Sequence, residues 1–217
     1  MYKTVVFDLD GTLLNTLTDL ADAGNRRCRK DGWPTHERPA YRYFVGNGIP
    51  KLVERLAPAD QRTPAVLEAA LADFKRDYGQ HLRDTTAPYP GIPEMLAKLK
   101  ANGVQLAVFS NKADALAKEV VKDYFGTQYF TIVRGQMTGV APKPAAEGTN
   151  ALLQALHADP ASTLYVGDSN VDVETAHNAN LPCCGAVWGF RTREELNAAG
   201  AEYLAENSDE LYDVIMK

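Results

Sequence analysis

Five short runs of apolar residues, each stopped by a polar turn, constrain the fold of this chain more than any other feature of it. Residues 3–7 run into Asp8-Leu9-Asp10-Gly11, 104–109 into Ser110-Asn111, 129–133 into Arg134-Gly135, 164–166 into Gly167-Asp168-Ser169, and 185–188 into Gly189. Apolar residues in succession, without strict alternation, belong to strands covered on both faces. Helical spacing fills the intervals, over 92–102, 113–124, 147–156, 172–179 and 194–199, with Ile92, Met95, Leu96 and Leu99 on one face of the first and Gly103 and Gly126 as stops. Strands alternating with helices of this length predict an α/β fold built on a doubly wound parallel sheet. Ligands of such sheets bind beyond the carboxyl ends of the strands, which is where the polar residues gather here.

Residues 15–86 follow another rule. Helical patterns at 17–30, 51–56 and 64–82 are broken by Trp33-Pro34, by Gly46-Asn47-Gly48 and by Pro58, with no strand signal. An inserted α-helical cap domain over 15–86 is expected, with 1–14 and 87–217 forming the α/β core and the stiff Ala87-Pro88-Tyr89-Pro90-Gly91 as the return. A length of 217 residues, 45% of them hydrophobic, accommodates one core with a substantial insert. The formal charge of -5, with Lys and Arg scattered, leaves no basic footprint for nucleic acid. No apolar run is long enough for a membrane span, and the start holds too few apolar residues for a signal peptide, so a cytoplasmic protein is expected. Cys28, Cys183 and Cys184 lack the spacing of a zinc or redox motif and read as reduced, buried thiols, while His36, His81, His157 and His177 show no ligand-like pairing.

The chemistry is carried by carboxylates. Asp8 and Asp10, two residues apart where a strand ends, send their side chains the same way, and two adjacent like charges call for a cation or a shared proton. A bare Asp-x-Asp is usually a solvated loop. Its company overturns that reading, because Asp168 and Asp172 form a second acidic group at another strand end, four residues apart and leading into a helix. Oxygen ligands without histidine or cysteine suit a small divalent cation such as Mg²⁺. Ser110, at the end of its own strand, and Lys143, framed by Pro142 and Pro144, supply a donor and a positive charge for an anion. Asn111 is expected to open the next helix, with free backbone N–H groups.

Taken in order, Phe7-Asp8-Leu9-Asp10-Gly11-Thr12-Leu13, Phe109-Ser110-Asn111-Lys112, Pro142-Lys143-Pro144 and Val166-Gly167-Asp168-Ser169-Asn170-Val171-Asp172 resemble the four motifs of the haloacid dehalogenase superfamily. Val45-Gly46-Asn47-Gly48 with 51–55, and Val187-Trp188-Gly189-Phe190 with Glu194-Glu195-Leu196 and Gly200-Ala201, bring the chain closer to its phosphoglycolate phosphatase branch. The resemblance implies a Mg²⁺-dependent phosphatase acting on a small phosphomonoester such as 2-phosphoglycolate, as a monomer or homodimer. Asp8 would be the nucleophile and Asp10 the general acid and base. Asp8, the backbone carbonyl of Asp10 and Asp168 would hold Mg²⁺, with Asp172 as ligand or support. Ser110, Lys143 and the backbone N–H groups of Gly11 and Asn111 would grip the phosphoryl oxygens, and Gly46, Asn47, Gly48 and Arg55 would reach the substrate from the cap. The chain departs from the usual pattern at Asn15, where many relatives carry Asp, and at Ala145-Ala146, where Asp-Pro is common. A β-phosphoglucomutase-type phosphotransferase of the same fold and a catalytically silent binding protein are the alternatives, whereas dehalogenases and phosphonate hydrolases of the superfamily lack the aspartate that stands here as Asp10.

Overall fold

The computed structural model describes residues 1–217. The chain gathers into two compact units, Met1–Leu14 with Pro88–Lys217, and Asn15–Ala87. It opens with strand β1 (Thr4–Phe7) and the two-residue β2 (Leu14–Asn15). The helical unit then contributes α1 (Leu17–Asp31), α2 (Arg38–Phe44), α3 (Ile49–Leu56) and α4 (Pro64–His81), and the chain leaves it through β3 (Ala87–Pro88), which pairs with β2. From there α5 (Ile92–Ala101), β4 (Gln105–Ala113), α6 (Asp114–Phe125), β5 (Phe130–Gln136), α7 (Ala146–Leu156) and β6 (Thr163–Gly167) alternate. Helix α8 (Asn170–Asn178), β7 (Cys183–Ala186), α9 (Arg193–Ala199), β8 (Tyr203–Ala205) and α10 (Ser208–Met216) complete the chain.

Six of these strands form one parallel sheet in the order β5-β4-β1-β6-β7-β8. The reversal of strand order, with β1 and β4 giving way to β5 on one side and β6, β7 and β8 on the other, is the doubly wound arrangement. Every residue of β1 is buried, as a strand covered on both faces requires. Side-chain alternation sends Val6, Ala107 and Tyr165 to the face packed by Leu152, Leu153 and Leu156 of α7 and Val173 and Ala176 of α8. Phe7 points the other way and meets Phe130 edge-on, with Phe125 of α6 behind it.

The structure adds five elements that the periodicity did not announce: α2, α10 and the short strands β2, β3 and β8. It also moves one strand, since the run expected at 185–188 pairs from Cys183 to Ala186 and then leaves the sheet. In the helical unit, α1, α3 and α4 pack on one another through Leu20, Leu52, Val53, Leu56, Phe74 and Tyr78, all buried. Within that unit the buried carboxylate of Asp19 accepts hydrogen bonds from the backbone N–H and hydroxyl of both Thr85 and Thr86, at 2.5–3.2 Å. No helix is long and apolar enough to cross a membrane.

Candidate active site

Register alone brings the first carboxylates together. Phe7 of β1 stands level with Val108 of β4 on one side and Val166 of β6 on the other. Asp8 and Asp168, which follow the last residues of β1 and β6, therefore come close in height to Ser110, which lies within β4 two residues past Val108. Asp8 is pinned there by its N–H, which donates to the Val166 carbonyl at 2.8 Å. Asp8, Asp168 and Asp172 are all buried and offer carboxylate oxygens within 4.8 Å of one another.

Lys143 sits among them. Its ammonium lies 2.8 Å from Asp8 Oδ1 and 2.7 Å from Asp172 Oδ1, and it donates to the Tyr165 hydroxyl at 3.2 Å and the Phe109 carbonyl at 3.3 Å. The lysine is 4% exposed, so burial pulls its pKa down, but the Asp172 and Asp8 carboxylates outweigh that and hold it charged, well above its ordinary value. Its backbone is braced by Asn111, whose side chain accepts from Lys143 N at 2.8 Å and donates to Lys143 O at 3.2 Å. That bracing accompanies a correction: Asn111 does not open a helix, because β4 runs on to Ala113, where it pairs with Gln136, and α6 starts at Asp114.

Each remaining carboxylate has its own support. Asp168 accepts from the Thr12 hydroxyl at 3.1 Å and from the Phe190 N–H at 2.7 Å. Asp172 Oδ2 accepts from Ser169 N at 3.1 Å and Ser169 Oγ at 2.6 Å, closing a capping box at the start of α8, while Oδ1 faces Lys143. Burial pushes Asp8 up to about 7, against the pull of Lys143 and with a further rise from Asp172, and burial with the Asp172 and Asp8 charges raises Asp168 as well. Asp10 stands at the rim, its carboxylate gripped by the Lys112 ammonium at 3.0 and 3.2 Å. Ser110 is buried, and its hydroxyl accepts from Lys112 N at 3.3 Å.

Gly11 enters the site for a reason other than the one its position implies. Its N–H, expected to face a phosphoryl oxygen, donates instead to the Leu14 carbonyl at 2.8 Å. What the residue provides is room: at φ +93° it occupies the left-handed region, and a Cβ there would overlap the Asp168 carboxylate. Gly189 does the same from the far side, where a Cβ would collide with Asp168 and the Gly11 carbonyl. Trp188 fastens this loop by donating from Nε1 to the Thr12 carbonyl at 3.0 Å. In the helical unit, Arg55 donates to the carbonyls of Tyr43 and Phe44 and to Asn47 Oδ1, at 2.8–3.0 Å, so Gly46, Asn47, Gly48 and Arg55 form one braced turn.

Lys112, Tyr165 and the 188–190 loop are contributors that residue-by-residue reading gave no role. Thr12, Lys112 and the loop stood in quoted motifs, yet the partners they meet in space show what each supports.

Comparison with known proteins agrees with this arrangement. The family model for haloacid dehalogenase-like hydrolases matches residues 5–186, which takes in Asp8, Asp10, Ser110, Lys143, Asp168 and Asp172. The chain belongs to the haloacid dehalogenase-like hydrolases. Among curated relatives, the phosphoglycolate phosphatase of Mesorhizobium japonicum is 31% identical over 87% of this chain and 84% of its own. That of Chromobacterium violaceum is 31% identical over 98% of this chain and 96% of its own. Both place the chain in the phosphoglycolate phosphatase-like branch of the family. A crystal structure of a candidate phosphoglycolate phosphatase from Lactobacillus delbrueckii subsp. bulgaricus superposes with a TM-score of 0.93, at 28% identity, covering 99% of this chain and 98% of that one.

Proposed function

We propose that this haloacid dehalogenase-like hydrolase is a Mg²⁺-dependent phosphatase of a small phosphomonoester, 2-phosphoglycolate or a close analogue, working through an aspartyl-phosphate on Asp8. The observation that carries this reading is the meeting of three buried carboxylates and the Lys143 ammonium at one sheet edge, with Asp10 beside them.

The donor set fits Mg²⁺. Its members are hard oxygens, their negative charge exceeds that of the one ammonium among them, and the buried Asp8 Oδ1 meets no donor besides that ammonium. Asp8, Asp168 and the backbone carbonyl of Asp10 would hold the ion, and Asp172, with both oxygens engaged by Lys143 and Ser169, would act as support. When bound, Mg²⁺ supplies charge neutralisation that lets an anionic nucleophile approach an anionic phosphoryl group.

The steps fall to the chain's own residues. An oxygen of Asp8 bonds to phosphorus as the ester P–O bond breaks, and the electron pair leaves on the alkoxide oxygen. Asp10 gives that oxygen its proton, then takes one from the water that attacks the aspartyl-phosphate, so that inorganic phosphate departs and Asp8 is restored. Lys143 and Ser110 hold the phosphoryl oxygens on which charge develops, together with the Asn111 backbone. Gly46, Asn47, Gly48 and Arg55 are the proposed contacts to the leaving group.

Phosphate release should be measured with Mg²⁺ over 2-phosphoglycolate, sugar phosphates, nucleoside monophosphates and pyrophosphate, with the highest kcat/KM expected for 2-phosphoglycolate. Release from no ester would favour a silent binding protein. Conversion of β-glucose 1-phosphate to glucose 6-phosphate would favour the mutase.

A further inference from the structure

Lys112 is a buried cation at the sheet edge that this mechanism does not use. Its side chain is 2% exposed, follows Ser110 by two residues on β4, and ends with its ammonium 3.0 and 3.2 Å from the two carboxylate oxygens of Asp10. Charged side chains are rarely buried so fully unless paired, and a buried pair contributes little stability compared with apolar residues of similar volume. Stability therefore does not account for a lysine here. Its location does: Asp10 is the group assigned to the leaving oxygen, so the ammonium sits on the leaving-group side of the phosphoryl site, while Lys143 occupies the opposite, nucleophile side against Asp8. A second cation placed there meets whatever the leaving group carries next to its ester oxygen.

We propose that Lys112 is a specificity-determining residue that selects phosphomonoesters whose leaving group bears a carboxylate, by exchanging its ion pair with Asp10 for one with the substrate. The inference rests on the phosphatase reading above. An anionic leaving group takes the ammonium and releases the Asp10 carboxyl to turn towards the ester oxygen, whereas a neutral alcohol leaves Asp10 held. Recognition and acid catalysis are then coupled through one ammonium, and the bonds made and broken are those already described. The neutral analogue leaves the ammonium on Asp10, so it gains no ion pair and meets a general acid that is still held, which slows its chemical step.

The test compares kcat/KM for 2-phosphoglycolate and for 2-hydroxyethyl phosphate, which replaces the carboxylate by a neutral alcohol. The full-length protein should prefer the carboxylate ester by about 10²-fold or more. Lys112→Met should reduce that preference at least tenfold, and Lys112→Arg, which keeps an anion-binding cation, should restore most of it. Equal kcat/KM for the two esters in the unmodified protein overturns the proposal without any variant. So does a Lys112→Met protein that loses activity on both esters in the same proportion, the result expected if the lysine only holds Asp10. A preference that survives in Lys112→Met and collapses in Arg55→Ala assigns the carboxylate to the helical unit and also overturns it. Failure of the phosphatase reading looks different: the unmodified protein then releases phosphate from neither ester.

Discussion

At the scale of single residues, the site is organised by what each carboxylate is allowed to touch. Asp10 is tied to Lys112 at the rim, whereas the buried Asp8 faces Lys143, and this difference in surroundings supports the proposed division between proton carrier and nucleophile. Asp10→Asn should lower kcat by about 10² to 10⁴ with little change in fold, and a rate near that of the unmodified protein would remove its proton-transfer role. Gly11 acts through space alone. Gly11→Ala introduces both left-handed strain and a Cβ against Asp168, so the Mg²⁺ concentration for half-maximal activity should rise about 10- to 100-fold, as for loss of a group that orients a metal ligand. An unchanged Mg²⁺ requirement would mean that the Asp168 carboxylate can shift freely.

Among the elements, the joint between α1 and the end of the helical unit rests on one carboxylate. Asp19→Ala strands the donors of Thr86, which is buried, and of Thr85, and should cost about 1 to 3 kcal/mol in denaturant unfolding. No loss would show that water replaces the bonds. This clamp was invisible in the sequence because its partners lie 66 and 67 residues away. The same physics divides what could be read in advance from what could not. Fully buried strands such as β1 betray themselves by continuous apolar runs, Asp8, Ser110 and Asp168 by their chemistry at the ends of such runs, and Lys143 by the prolines that frame it. Strand β8 has three residues, the last of them buried, and gives no period to detect. Helix α10 announces itself only by Leu211 and Ile215 on its buried face and by the Asn207 cap. The expectation that Asn111 opens a helix failed because its side chain is engaged by the Lys143 main chain, a tertiary contact across 32 residues.

Over the whole molecule, binding of the proposed Mg²⁺ would be coupled to folding. Asp8, raised to about 7 by burial, and Asp168, raised for the same reason, favour their protonated forms in the folded chain, in the presence of Lys143, Asp172 and the Asp10–Lys112 pair. For a carboxyl whose folded pKa exceeds its unfolded value, the contribution to stability is fully present below about pH 4 and is lost as pH rises through the folded value, near 7 for Asp8. Mg²⁺ requires the ionised forms and works in the opposite sense. The increase in Tm on adding Mg²⁺ should therefore be larger at about pH 8 than at about pH 5, and equal increments would separate these carboxyls from the metal. The most direct test of the account is to quench the protein in acid during turnover of 2-phosphoglycolate and locate any covalently bound phosphoryl group by peptide mass spectrometry. A phosphoryl group on Asp8, absent from Asp8→Asn, is the predicted result; phosphate release by a protein in which Asp8 never carries one would contradict it.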